Sequence, residues 1–98
     1  MSSNPTDSKP INVIRFEQIC HEMARTYAAK NSDYDNSFAE TYREFGAVAG
    51  LVRITDKCNR LKALLRQGAN QQVKSESVQD TLLDLANYAI MLLIETEK

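Results

Sequence analysis

Glu76, Asp80 and Asp84 step by four residues and Asn87 follows by three, so on an α-helix all four share one narrow strip. Like charges at that spacing repel by about a few tenths of a kcal/mol per pair, which calls for a positive partner, either a metal ion or basic side chains. Upstream, Arg53, Asp56, Lys57 and Arg60 sit at steps of three, one and three and form a mostly basic helix face. Carboxylates of this kind suit Mg²⁺, an oxygen-seeking ion held by few carboxylates plus water and substrate phosphates, while the basic face suits phosphate oxygens. Together, Glu76, Asp80 and Asp84 as metal ligands and Arg53, Lys57, Arg60 and Asn87 as nucleotide-binding groups would make a pyrophosphate site. There the metal would activate water, and Arg or Lys would stabilise the developing charge. The same spacings also describe plain interhelical salt bridges, or charges left in solvent, each exposed pair contributing about 0 to 1 kcal/mol.

A second group, Lys30, Asp33 and Tyr34, places a cation, a carboxylate and a ring close together, where a nucleobase could stack. The structural alternative makes Tyr34 a core residue and Asp33 a turn or cap residue. His21 stands beside Glu22 with no second histidine and no serine constellation, and reads as a surface residue.

These groups need helices to position them. Val13, Phe16, Cys20, Met23 and Tyr27 recur at helical spacing and predict a first helix over 13–30, ended by the turn formers of 31–37. A short helix is expected over 38–45, with Phe38, Tyr42 and Phe45 on one side and Gly46 relaxing the backbone after it. A second long helix over 47–67 carries Ala47, Leu51, Ile54, Cys58, Leu61 and Leu65 at alternating steps of four and three, with Gly68 as its stop. After a polar loop over 68–74, a cap at Ser77 or Ser75 opens the last helix, which runs to Glu95. No β-type alternation of useful length appears. The expected fold is all-α: a small antiparallel bundle of three long helices and one short helix, one domain over 12–98 behind a flexible tail over 1–11.

The last helix is apolar on more than one flank, through Leu82, Leu83, Leu85, Ala86, Ala89, Ile90, Leu92 and Leu93. It is therefore predicted to pack within the protomer and against a second copy, making a homo-oligomer and leaving Asp84 and Asn87 partly enclosed.

Composition narrows the function classes. Twelve basic and thirteen acidic residues give a net charge of -1, so no global field draws the chain onto nucleic acid or an anionic membrane. Three glycines and two prolines leave long stretches free of helix breakers. The apolar run from Leu82 to Ile94 is interrupted by Asp84 and Asn87 and falls short of the ~20 residues that a bilayer needs. Cys20 and Cys58 lack metal-site or disulfide spacing and read as buried thiols in a reducing compartment. A soluble, cytoplasmic protein is expected.

Three blocks carry a family resemblance: Lys30-Asn31-Ser32-Asp33-Tyr34 with Ser37-Phe38; Arg53-Ile54 with Asp56-Lys57 and Arg60-Leu61; and Glu76-Ser77, Asp80-Thr81-Leu82 and Asp84-Leu85-Ala86-Asn87-Tyr88-Ala89. In this order they resemble the first type of nucleotide-modification-associated domain, a helical family common in bacteriophage genomes. That resemblance spans roughly Phe16 to Glu95 and implies a role in phage-type nucleotide metabolism or modification, in the host cytoplasm. More distantly, the pattern is similar to MazG-like all-α nucleoside triphosphate pyrophosphohydrolases, whose helix pairs bind Mg²⁺ through an acidic motif on each of two helices. Glu76 and Asp80 would supply one such motif. The second long helix departs from it, carrying Asp56 among Arg53, Lys57 and Arg60 where a paired-glutamate motif would stand, and Asp35 replaces the glycine usual after the first-block tyrosine. The expected ligand is a nucleotide or other phosphorylated small molecule, with Mg²⁺-dependent pyrophosphohydrolysis as the catalytic form of the reading. The alternative is a non-catalytic phage module that binds a host protein or sequesters a signalling nucleotide.

Overall fold

A computed structural model describes residues 9–34, 36–66 and 71–98; the side chains of 32–34 and 71–74 lie outside that description. The fold is all-helical: α1 (Ile11–Tyr34), α2 (Ser37–Phe45), α3 (Val48–Arg66) and α4 (Gln71–Thr96), with no strand among the described residues. Three long helices and one short one match the expected element list. Two compact units divide the chain, the first ending at Asp33 and the second running from Tyr34 to Lys98.

The first unit is built on α1. Pro10 cannot donate a backbone hydrogen bond but its carbonyl can accept, and it receives the N–H groups of Val13 (3.0 Å) and Ile14 (3.2 Å) to start the helix. Lys9 closes back on Glu17 at 2.8 Å. The expected helix end at Lys30 is corrected, because α1 continues through Asn31, Ser32 and Asp33 to Tyr34. Each of those residues costs about 0.7 kcal/mol or less relative to alanine in a helix, too little to stop one that is already propagating. The apolar stripe of α1 is open over its first part, with Phe16 70% exposed and Met23 and Tyr27 half-buried, and Cys20 is exposed where a buried thiol was expected. Of the expected tail over 1–11, residues 1–8 lie outside the described residues.

In the second unit the chain re-enters a helix at Asn36, whose left-handed backbone (φ 56°) is one that asparagine tolerates better than most residues. Its carbonyl accepts the Ala39 N–H at 3.1 Å as α2 begins. Gly46 ends α2 at φ 74°, with its N–H donated to the Tyr42 carbonyl at 2.7 Å. That positive φ is what glycine supplies here without steric cost.

Helices α3 and α4 form the main packed pair, with α2 laid against both. They run antiparallel, since Gly50 near the start of α3 meets Leu92 near the end of α4 while Lys57 meets Asp84 midway along both. A Cβ at Gly50 would lie 2.7 Å from a methyl carbon of Leu92, so the missing side chain is what allows this close approach. Along α3, Gly50 is buried and Ile54, Lys57, Cys58, Leu61 and Leu64 are half-buried, with Gly50 and Lys57 meeting α4. At its ends this corrects the expected stripe, leaving Ala47, Leu51 and Leu65 exposed. On α4, Thr81 is buried and Val78, Leu85, Tyr88 and Leu92 are half-buried, with Tyr88 and Leu92 meeting α3. Thr81 is buried and donates its hydroxyl to the Ser77 carbonyl at 2.6 Å, satisfying itself within its own helix.

The start of α4 is also corrected: residues 71–74 are helical, not loop, and Ser75 and Ser77 lie inside the helix. Gln71 to Lys74 contain no breaker, so nothing forces the helix to wait for a serine cap. The expected stop at Gly68 lies outside the described residues. On α2, Ala39 is buried with Phe38 and Tyr42 half-buried, whereas Phe45 is exposed.

Candidate functional site

A right-handed helix carries residues four and three apart on one face, so Arg53, Lys57 and Arg60 share a strip of α3 beside the packed face. On α4, Glu76, Asp80, Asp84 and Asn87 do the same. Because the two helices run antiparallel, the flanks that carry these strips fall on one side of the pair. The strips join at Lys57, whose ammonium lies 3.5 Å from an Asp84 carboxylate oxygen. Along the register set by the Lys57–Asp84 and Gly50–Leu92 contacts, Arg53 is level with Tyr88 and Ala89, and Arg60 with Thr81 and Leu82.

Lys57 is the enclosed member of the pair, its side chain 27% exposed against 51% for Asp84. Its ammonium also stands over the Tyr88 ring, 5.9 Å from the centroid, within the range in which a cation is attracted to a ring face. Phe38 of α2 packs against the same ring with centroids 6.2 Å apart and planes tilted by 43°. The cation is thus held by a carboxylate, a ring and the aliphatic seam, while the short helix borders the charged side of the pair.

Around this centre the charges are open. Arg53, Asp56 and Arg60 on α3 and Glu76 and Asp80 on α4 are exposed, and among the described residues none of the five forms an ion pair. Two guanidinium groups flank Lys57 by about one turn on each side, presenting planar donors that suit bidentate contact with phosphate oxygens. Asn87 is half-buried at the edge of the strip. Among the described residues, no three of His, Cys, Asp and Glu converge as a metal-holding group. His21 is exposed on α1, as expected.

Lys30 is exposed near the end of α1 in the first unit. Asp33 and Tyr34 stand in helix, not turn, and their side chains lie outside the described residues. Sequence reasoning missed the Phe38–Tyr88 pair and the role of Tyr88 beneath Lys57. The available signal was Tyr88 four residues after Asp84, a spacing that puts a ring beside the carboxylate's own partner.

The blocks that make this site lie inside a family match: the family described as Nucleotide modification associated domain 1 matches residues 30–96, more than half of the chain. The chain belongs to this family. The Nucleotide modification associated domain 1 region takes in the end of α1, all of α2 and α3, and α4 to its last residue. It therefore contains Lys57, Asp84, Tyr88, both flanking arginines and the acidic strip. No curated protein and no solved structure matches the chain. Among the described residues, no helix is long and apolar enough to cross a membrane.

Proposed function

We propose that the charged side of the α3–α4 pair binds a nucleotide, with Arg53 and Arg60 taking the phosphate oxygens and Lys57 fixing their position from the seam between the helices. The observation that carries this reading is the Lys57 ammonium held between the Asp84 carboxylate and the Tyr88 ring, with an arginine about one turn away on either side that is exposed and forms no ion pair among the described residues. A structural ion pair needs one cation for one carboxylate; three cations along one strip, two of them open, fit a ligand carrying several negative charges. Asn87, three residues after Asp84 on α4, offers an amide suited to a base or sugar edge. The family's description, association with nucleotide modification, points the same way. In this reading the protein serves phage-type nucleotide metabolism or modification in the host cytoplasm.

Mg²⁺ fits the open part of the acidic strip. Glu76 and Asp80 are exposed, one turn apart and without an ion pair among the described residues, and Mg²⁺ commonly takes one or two carboxylates with waters and substrate phosphates. Asp84 would join them on release from Lys57. Bound there, the ion would neutralise phosphate charge and activate water, the chemistry of a MazG-like pyrophosphohydrolase.

A second reading, binding without hydrolysis, is favoured by a different observation. Among the described residues the carboxylates do not converge as a group of three, and Asp84 is occupied by Lys57. In that case the protein sequesters a signalling nucleotide or presents the charged side to a host protein.

A thermal-shift screen against nucleoside mono-, di- and triphosphates and cyclic nucleotides, with and without Mg²⁺, followed by chromatography of the ligand, tests both. Binding at a hundredfold excess over the dissociation constant stabilises by about 2.7 kcal/mol. Conversion of a triphosphate to monophosphate supports the enzyme, recovery of intact ligand supports sequestration, and no shift with any nucleotide contradicts the site.

A further inference from the structure

Lys57 has two partners of unlike kind. Asp84 is an anion, 3.5 Å from the ammonium and 51% exposed, whereas Tyr88 is a half-buried ring 5.9 Å away that Phe38 packs against. The carboxylate is the loose partner. Close charge-assisted pairs lie at about 2.7 to 2.9 Å, as Lys9 and Glu17 do in this chain at 2.8 Å. An ion pair as open to water as Lys57–Asp84 is weak and screened. The ring is the lasting partner, because it attracts the ammonium through its quadrupole and no phosphate competes with it for that role.

A ligand on the charged side sets these two partners apart. Arg53 and Arg60 stand seven residues apart on α3, with Lys57 between them, which is about 10 Å along the helix axis. Phosphate oxygens that reach from one arginine toward the other pass the Lys57 ammonium and meet the Asp84 charge there. Two anions then crowd one cation, and their repulsion favours release of the one held more loosely. Asp84, half exposed, has water to turn to. Lys57, only 27% exposed, keeps the Tyr88 ring.

We infer that Asp84 is an internal stand-in for a ligand phosphate on Lys57, displaced when the ligand binds, and that Tyr88 is the positioning residue that keeps the ammonium at the seam through the exchange. The inference rests on the nucleotide reading of the charged side and names the regulation of that site. In the free protein Asp84 neutralises the central cation of the strip, so that every anion must compete with it. Asp84 thereby lowers affinity, and Tyr88 raises it.

Calorimetric titration of the full chain with inorganic pyrophosphate, in buffer free of divalent metal, tests both roles. Asp84→Asn keeps the shape and removes the charge, and is expected to bind about threefold or more tightly than the wild type. Tyr88→Leu is expected to bind about threefold or more weakly, and Tyr88→Phe, which keeps the ring face, to recover most of that loss. Opposite signs at two neighbours of one cation are not what a merely structural role produces. In a Lys57→Met background the gain from Asp84→Asn should fall below about twofold, because the competition has lost its object. Affinity that is unchanged or weaker in Asp84→Asn overturns the inference. So does an equal gain with and without Lys57, which would make it an effect of the general field, and so does a Tyr88→Leu variant that binds like the wild type. If neither pyrophosphate nor any nucleotide binds the wild type or Asp84→Asn, the nucleotide reading itself falls; pyrophosphate bound by the wild type with no gain in Asp84→Asn sinks the inference alone. Asp84 is exposed enough that its neutralisation leaves the fold intact, so the sign of that change decides even where Tyr88→Leu fails to fold or Lys57→Met binds too weakly to titrate.

Discussion

The Lys57 ammonium lies 3.5 Å from the Asp84 carboxylate and 5.9 Å from the centre of the Tyr88 ring, which joins a basic strip on α3 to an acidic strip on α4. The contact is worth little as a brace. Asp84 is about half exposed, and ion pairs of that kind contribute about 0 to 1 kcal/mol. Asp84→Asn is therefore expected to change the unfolding free energy by no more than about 1 kcal/mol in chemical denaturation. A loss of several kcal/mol would make the pair a structural element and weaken its reading as part of a binding site.

The arginines flanking Lys57 should act on ligand and not on fold. Hydrogen bonds to charged groups contribute about 1.5 to 3 kcal/mol, so Arg53→Ala or Arg60→Ala is expected to weaken nucleotide binding by roughly ten- to a hundredfold. Because both side chains are exposed, the melting temperature without ligand should move little. Affinity measured by calorimetry, with thermal melts alongside, separates the two effects.

If the acidic strip holds Mg²⁺, Asp80→Asn is expected to remove the Mg²⁺ dependence of nucleotide binding or turnover while helical circular dichroism is retained. Asp80 is exposed and makes no ion pair among the described residues, so its neutralisation has no structural partner to disturb. Equal Mg²⁺ dependence in the variant and the wild type would remove Asp80 from the metal's ligands.

Gly50 marks a close approach of α3 to α4: a Cβ there would lie 2.7 and 2.9 Å from the two methyl carbons of Leu92 and 3.0 Å from its branch carbon. Gly50→Val is expected to destabilise by about 1 to 3 kcal/mol through overpacking. Leu92→Ala, destabilising alone, should recover part of that loss in the double variant, and a double-mutant cycle by urea unfolding reads the coupling. Strict additivity would show that the two positions do not meet.

Much of this arrangement was legible in the sequence because it rests on helical period alone. The acidic strip from Glu76 to Asp84, the basic strip from Arg53 to Arg60 and the existence of all four helices follow from spacing. What spacing does not contain is register between helices. That Lys57 meets Asp84, and not Asp80, depends on where α4 begins, which the serines misplace, and on how closely α3 can approach, on which the spacing is silent. The serines at 75 and 77 look like caps, but the helix had already started at Gln71. Gly50 carried a readable signal, an isolated glycine inside a helical pattern, which often marks close backbone approach. The end of α1 was misread for the opposite reason: Asn31, Ser32 and Asp33 favour turns individually, yet their combined cost is small beside the cooperativity of a long helix. The Phe38–Tyr88 contact joins elements far apart in sequence, and no local pattern announces it.

Calorimetric titration of the full chain with nucleoside triphosphates in the presence of Mg²⁺, repeated on an Arg53→Ala, Arg60→Ala double variant, tests the nucleotide site most directly. The expected result is saturable binding of at least one nucleotide at one per chain, weakened at least tenfold in the double variant while its helical circular dichroism is unchanged. Absence of saturable binding for every nucleotide, or equal affinity in the double variant, would contradict a nucleotide site on the charged side of α3 and α4.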